Sequence, residues 1–553
     1  MAGRRARGAE PKWRGWRCVL VLASLVSAGS VSCAARAPSA APTSPVAANT
    51  AQPVASEAGP TYALTQGSIR LLSTLKTTLQ IDAYVTKGLP QAAPFIDDLA
   101  ALLTAYQRES KGKLEFRLIE PTTDALREQA KQDGVVEQAF ANGNEARVAN
   151  GFLGLAFTYG NERSVIPQLP YDHSDGLEFW VTNKIREIRD RADGIKHRIG
   201  VVTGKDELKL SDTHLMPNPT PGKRPSLQGI LVQAFPYYQI EEIELKNGSL
   251  AIDPELAGII VTQPQKDYTA AELRRIDDFL MLGAKALVVY ASGVNLKPND
   301  PSLLGTLSTH GLETLLDGYG IHMNKDAVFD PGAPFRTPIL PQAGQPVWLR
   351  HCGMAHVMDS PSGPGAESRL DTGFAGFFRL HEVMFPFASS LELARDQQPA
   401  DVQLHVVARS TPEAWVEHTD TVDMSLREQW TSRPPTQQRI LAAYAQGKLR
   451  SAFAGKPGAN PNTPARALGS SRVLVVSSSL FLTNPFAYAG NAPSDTNGGD
   501  AKLLSLAQPY AKQLTSMILS VKNTLDWMTT DDDVVAISAK IMPHEQTAPP
   551  SKR

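Results

Sequence analysis

At 553 residues the chain is too long for one compact core and implies two or three domains. Its 55 basic and 56 acidic side chains nearly cancel, which excludes a nucleic-acid surface or a basic membrane patch as the organising feature. Of the three cysteines, Cys18 and Cys33 fall in the first 33 residues, so the body keeps one thiol, Cys352, and has no internal disulfide.

Residues 1–33 read as an export signal. Arg4, Arg5, Arg7, Lys12, Arg14 and Arg17 form a basic start, and an apolar or small-residue run precedes the sequence SCAA. Three treatments of this segment stay open: a lipoprotein site that leaves Cys33 as the lipidated first residue, a small-residue cleavage near Ala34 or Ala35, and an uncleaved anchor. The apolar run is shorter than the roughly 20 residues that span a bilayer comfortably, which disfavours the third. Residues 34–60 are dominated by Ala, Pro, Ser and Thr and cannot build a core, so they read as a flexible tether. A polar tail, 542–553, closes the chain.

From Tyr62 a short helix leads to a strand in which Leu79, Ile81, Ala83 and Val85 alternate with polar positions. A helix over about 92–107, the strand in KGKLEFRLIEP, a helix over 124–132, a hairpin in GFLGLAFTYGNERSVIP and a long helix over 175–191 follow. This order, over 61–195, gives a thioredoxin-like layout. It has no Cys-x-x-Cys, which excludes thioredoxin redox chemistry.

A second domain, 196–541, opens with RIGVVTG. Gly200, Gly204 and Lys205 suggest a phosphate loop, but only three residues separate the glycines and Asp206 stands where Ser or Thr would hold magnesium, so the segment reads as an ordinary turn. A helix over 226–235 and a strand over 239–245 precede AGIIVTQPQKDYTAAELRRIDDFLMLGAKALVVYAS. Its two runs of Ile and Val without alternation are the pattern of strands buried on both faces. Between them Thr269 and Glu272 form a capping box and Gly283 ends the helix, completing a right-handed βαβ unit. Residues 306–319 read as a helix stopped by Gly320. Over about 328–464 Pro and Gly are frequent and strands short, an excursion from the sheet. RVLVVSSSLFLTN resumes the sheet and 501–527 supplies a closing helix. The expected class is α/β: a thioredoxin-like domain, then a doubly wound, amidotransferase-like domain with a β-containing excursion.

The βαβ stretch resembles the core of the Gldg family, auxiliary components of uncharacterised ABC-type transport systems associated with gliding motility. The resemblance extends to Leu64 and Thr65, Gly88 to Pro90, Tyr106 to Lys113, Glu120 with Pro121, and LEFWVTNKI. It continues through DGYGIHMNKDAVFDP, FPFASSLEL, VVARSTPEAW, AAYAQGKLRSAFAGK, RVLVVSSSLFLTNP and NTLDWMTTDDDVVAISAK, in order along nearly the whole body. It implies an extracytoplasmic, membrane-tethered, non-catalytic subunit on the periplasmic side, working with a separate ABC permease and ATPase and needing no cofactor. Members of the family commonly finish in a transmembrane helix, whereas HEQTAPPSKR is polar, so anchoring is expected at the N-terminus alone. Two alternatives remain: a free-standing periplasmic ligand-binding module, and a Cys-dependent amidotransferase-like hydrolase.

Several clusters carry chemical interest. His351, Cys352, His356 and Asp359, in RHCGMAHVMD, could hold zinc or supply a nucleophile with its base, but adjacency in sequence does not place partners together and no buried strand leads into Cys352. His381 and Glu382 begin a zinc-protease pattern that Phe385 breaks. Asp531, Asp532 and Asp533 lack the spaced ligands of a calcium loop. Gln263, Ser292, Ser477 and Ser478 sit at the carboxyl ends of expected strands, where sheets of this kind bind ligands, and form the candidate crevice. No catalytic, cofactor or metal residue is assigned.

Overall fold

In the computed structural model of this chain, residues 62–529 are described, apart from 90–91, 143–144, 172–175, 213, 218–224, 340–346, 360–367, 379 and 493–497. The export signal, the tether, Cys33 and the run Asp531, Asp532 and Asp533 lie outside the described residues. The chain is mixed α/β, with several sheets and, among the described residues, nine α-helices. It divides into two compact units after Ala192.

The first unit runs α1 (Gln66–Ser73), β1 (Leu79–Val85), α2 (Ala93–Glu109), β2 (Leu114–Ile119), α3 (Asp124–Gln132), β3 (Glu137–Asn142), β4 (Glu145–Tyr159), β5 (Glu162–Ile166) and α4 (Leu177–Ala192). β1 pairs parallel with β2 across the α2 crossover and antiparallel with β4, which also carries β3 and β5. The alternation along β1 sends Leu79, Ile81, Ala83 and Val85 into the core with Leu99, Leu103 and Ile185. Asp82, on the other face, takes a bidentate ion pair from Arg117. The buried Glu178 of α4 accepts hydrogen bonds from Thr65 N at 2.7 Å, Ser68 Oγ at 2.7 Å and Tyr62 OH at 2.9 Å, so one carboxylate ties the start of this unit to its last helix. The second half of β4 is the expected hairpin, but β3 was not foreseen; EQAFAN shows no clean alternation of apolar and polar residues.

The second unit begins with β6 (His197–Thr203), α5 (Leu227–Ala234), β7 (Tyr238–Glu244), β8 (Gly258–Thr262), α6 (Ala270–Met281) and β9 (Ala286–Tyr290). Then come β10 (Val294–Asn295), β11 (Leu304–Leu307), α7 (Leu312–Leu316), β12 (Ile321–Met323), β13 (Ala327–Phe329), β14 (Pro334–Ile339) and β15 (Val347–Met358). The unit closes with β16 (Glu382–Pro386), β17 (Leu391–Leu393), β18 (Gln403–Arg409), β19 (Trp415–Glu417), β20 (Thr421–Asp423), β21 (Ile440–Gly447), β22 (Ser471–Val476), α8 (Pro485–Gly490) and α9 (Ala501–Thr529).

The main sheet has nine strands in the order β12-β17-β21-β22-β9-β8-β6-β7, with β18 also on β21. From β22 to β7 the strands are parallel. Both faces are buried: Val288 and Leu474 point into one core with α9, while Leu287, Val289, Val473 and Val475 point into another with Leu273, Ile276 and Leu280 of α6. Burial on two faces is why these strands read as unbroken apolar runs. The capping box forms, Thr269 Oγ1 accepting from Glu272 N and Glu272 Oε2 from Thr269 N.

Two expectations change. Residues 306–319 are not one helix: Thr306 pairs in β11 with Asn295 and Thr421, and α7 starts only after Gly311, whose φ of 85° is left-handed and breaks any continuous helix there. The excursion over 328–464 is also only partly one. β21 returns from it to pair antiparallel with β22 and carries β17 and β18 antiparallel on its other edge, which extends the main sheet, and β14, β15 and β16 form a separate antiparallel sheet.

Candidate functional site

The loop after β6 holds itself closed. Lys205 Nζ lies 2.9 Å from Glu272 Oε2, and Glu207 accepts from Lys205 N at 2.6 Å and Tyr268 OH at 2.8 Å. The lysine that could have met a phosphate thus neutralises the capping-box carboxylate.

At the carboxyl ends of β8, β9 and β22 the structure brings Gln263, Ser292, Ser477 and Ser478 toward one another and buries all four. Gln263 Nε2 donates to Asn295 Oδ1 at 2.7 Å and Ser292 O at 3.1 Å, while its Oε1 accepts from Ser292 N at 2.8 Å. The segment after β16 lies across this edge. Ser292 Oγ donates to Phe387 O at 2.9 Å and Ser478 Oγ to Pro386 O at 2.5 Å, Ser389 N donates to Ser477 O at 3.3 Å, and Ser389 Oγ accepts from Gly293 N at 2.8 Å. Phe387 itself is fully buried. The chain's own backbone therefore occupies the position where an open α/β sheet receives a ligand. Ser477 Oγ is buried with no hydrogen-bond partner among the described residues.

The four residues of RHCGMAHVMD diverge. His351 Nε2 donates to Met424 O at 2.8 Å, and burial lowers its pKa to about 4, so the ring is neutral at pH 7. Cys352 is buried among core residues, and the same desolvation pushes its thiol up to about 11. The pair lacks the thiolate and imidazolium of an activated nucleophile. His356 Nε2 turns to Glu382 Oε2 at 2.8 Å, and Asp359 accepts from Ser368 Oγ at 3.2 Å. Among the described residues no three His, Cys, Asp or Glu side chains gather where a metal could sit. His381 and Glu382 open onto strand β16 and not onto a helix.

What the sequence did not reveal is a cavity of about 850 Å³ beside β14, β15 and β16. That volume is typical of small-molecule sites. Arg336 and Arg369 stand on its wall with Glu413 and Gln513, and Phe335, Met358 and Met384 supply apolar lining. Gly332 lets the wall close up, because a Cβ there would lie 2.6 Å from Glu413 Oε2. These residues come from well-separated segments and form no motif. Only VVARSTPEAW, which contains Thr411, Pro412 and Glu413, could have drawn attention to the region.

Among curated proteins, none matches this chain in sequence. A family model described as a domain of unknown function matches residues 59–158. A second, described as an ABC-type uncharacterized transport system, matches residues 196–505, which takes in the main sheet and nearly all of the cavity wall. Since that match spans more than half of the 553 residues, the chain belongs to this auxiliary family of the uncharacterised ABC-type transport systems.

Proposed function

We propose that the chain is a non-catalytic, extracytoplasmic subunit of an ABC-type transport system, held to the membrane by its N-terminal segment and working beside a separate permease and ATPase. The observation that carries this reading is the family match over 196–505. The export signal and the Ala/Pro/Ser/Thr tether support an extracytoplasmic, membrane-proximal place, with Cys33 as the lipid attachment point. Among the described residues no helix is long and apolar enough to cross a membrane. The protonated, buried Cys352 and the internally paired Lys205 support a role without hydrolysis of its own. In this reading the first unit is thioredoxin-like in layout, from its parallel β1 and β2 across α2 and antiparallel β4, and the second is doubly wound and amidotransferase-like.

Cross-linking in intact membranes, followed by mass spectrometry of whatever is joined to a tagged chain, tests this. Linkage to an ABC permease is the expected result; linkage only to abundant envelope proteins contradicts it. The cavity favours one second reading, a free-standing ligand-binding module, which predicts a bound small molecule and no permease.

A further inference from the structure

The cavity beside β14, β15 and β16 is more polar and more cationic than packing requires. Arg336 and Arg369 both line it, and neither guanidinium has an ion-pair partner among the described residues. His356 is already taken by Glu382, which leaves Glu413 as the one carboxylate among the described lining residues. Two further atoms are unmatched: Arg369 Nη1 and Gln513 Oε1 are both buried without a hydrogen-bond partner. A buried donor or acceptor left unpaired is costly, and native proteins rarely keep one without a purpose. Both residues that carry these atoms, Arg369 and Gln513, line the same cavity. Phe335, Met358 and Met384 give that cavity an apolar bed, and methionine adapts to irregular shapes.

We propose that this cavity binds a carboxylate-bearing ligand of short-peptide or short-oligosaccharide size. The guanidiniums of Arg369 and Arg336 receive the carboxylate, because a planar fork of donors matches two carboxylate oxygens. The Gln513 amide turns toward the cavity to accept an N–H or O–H of the ligand, whose body lies over the apolar bed. The free carboxylate of Glu413 on the same wall disfavours a doubly charged phosphate. Peptides and acidic sugars both satisfy these demands, since each couples a carboxylate to hydrogen-bond donors. The inference stands independently of the transporter assignment, because it concerns what the cavity holds and not which proteins surround it.

Isothermal titration of the full chain with four probes tests it: acetyl-Ala-Ala-Phe with a free carboxylate, the same peptide as its C-terminal amide, a galacturonate trimer, and that trimer as its methyl ester. The expected result is that one acid binds, its neutral counterpart binds at least tenfold more weakly, and Arg369→Gln and Arg336→Gln each weaken the acid at least tenfold while leaving the thermal midpoint unchanged. Which acid binds assigns the source. Arg336 is exposed, so its variant carries the test even where Arg369→Gln fails to fold. Failure of both acids to bind the wild-type chain, equal binding of acid and neutral forms, or arginine variants that bind like wild type would each overturn the proposal.

Discussion

Cys352 shows how little a reactive residue type says without its surroundings. The cysteine in RHCGMAHVMD is chemically suggestive in sequence, yet its side chain packs into the larger core and burial raises its pKa to about 11. Cys352 should therefore fail to react with an aromatic disulfide reagent at pH 8 until denaturant is added, as read by the mass of its own peptide, and Cys352→Ala should retain whatever activity the chain has. Rapid labelling of Cys352 in the native protein would contradict this. His351 gives a prediction with a sign. Burial lowers its pKa from 6.5 to about 4, so the unfolded chain binds the proton more readily. Its contribution to stability is complete above pH 6.5 and is lost as the pH falls through 4, a loss of up to roughly 3 kcal/mol. Denaturant titrations across that window should show this component in the wild type and not in His351→Gln. Neither environment was legible in the sequence, because burial depends on β16, on Met424 and on other distant segments.

At the scale of elements, what was readable is what is local. The αβ crossover of α6 and β9 could be read because the capping box, the helical stripe of Leu273, Ile276 and Leu280, and the two-faced strands all lie within about three dozen neighbouring residues. The region between β12 and β21 could not, since its strands are as short as three residues and find partners far away in sequence, as Leu391 does with Ile440. The segment lying across the candidate crevice was illegible for the same reason. The placement of Gln263, Ser292, Ser477 and Ser478 at strand ends followed from the strands themselves, but the backbone that covers them arrives from Pro386 to Ser389, 95 residues beyond Ser292 in the case of Phe387. The capping box also makes a quantitative expectation. Thr269→Ala removes one cap and should cost about 1 kcal/mol. Glu272→Gln should cost more, about 1–3 kcal/mol, because Glu272 also accepts from Asn247 N and pairs with Lys205. Equal midpoints for both variants and wild type in chemical denaturation would contradict the ion pair's structural role.

For the whole molecule, two units with separate cores are joined in one chain, and the family match covers most of the second. The places where an enzyme of this architecture would keep its reactive groups are taken up by the structure: the strand ends lie under Phe387, the lysine after β6 pairs with Glu272, and the thiol is protonated in the core. A cavity of about 850 Å³ lies elsewhere, in the β-rich part of the second unit. In the proposed reading, energy transduction belongs to a separate permease and ATPase. The most direct test is size-exclusion chromatography of the tagged chain in mild detergent, with mass spectrometry across the profile. The chain should elute with an ABC permease and its ATPase in a constant ratio. Elution of the folded chain alone, with the permease and ATPase together in another peak, would contradict it.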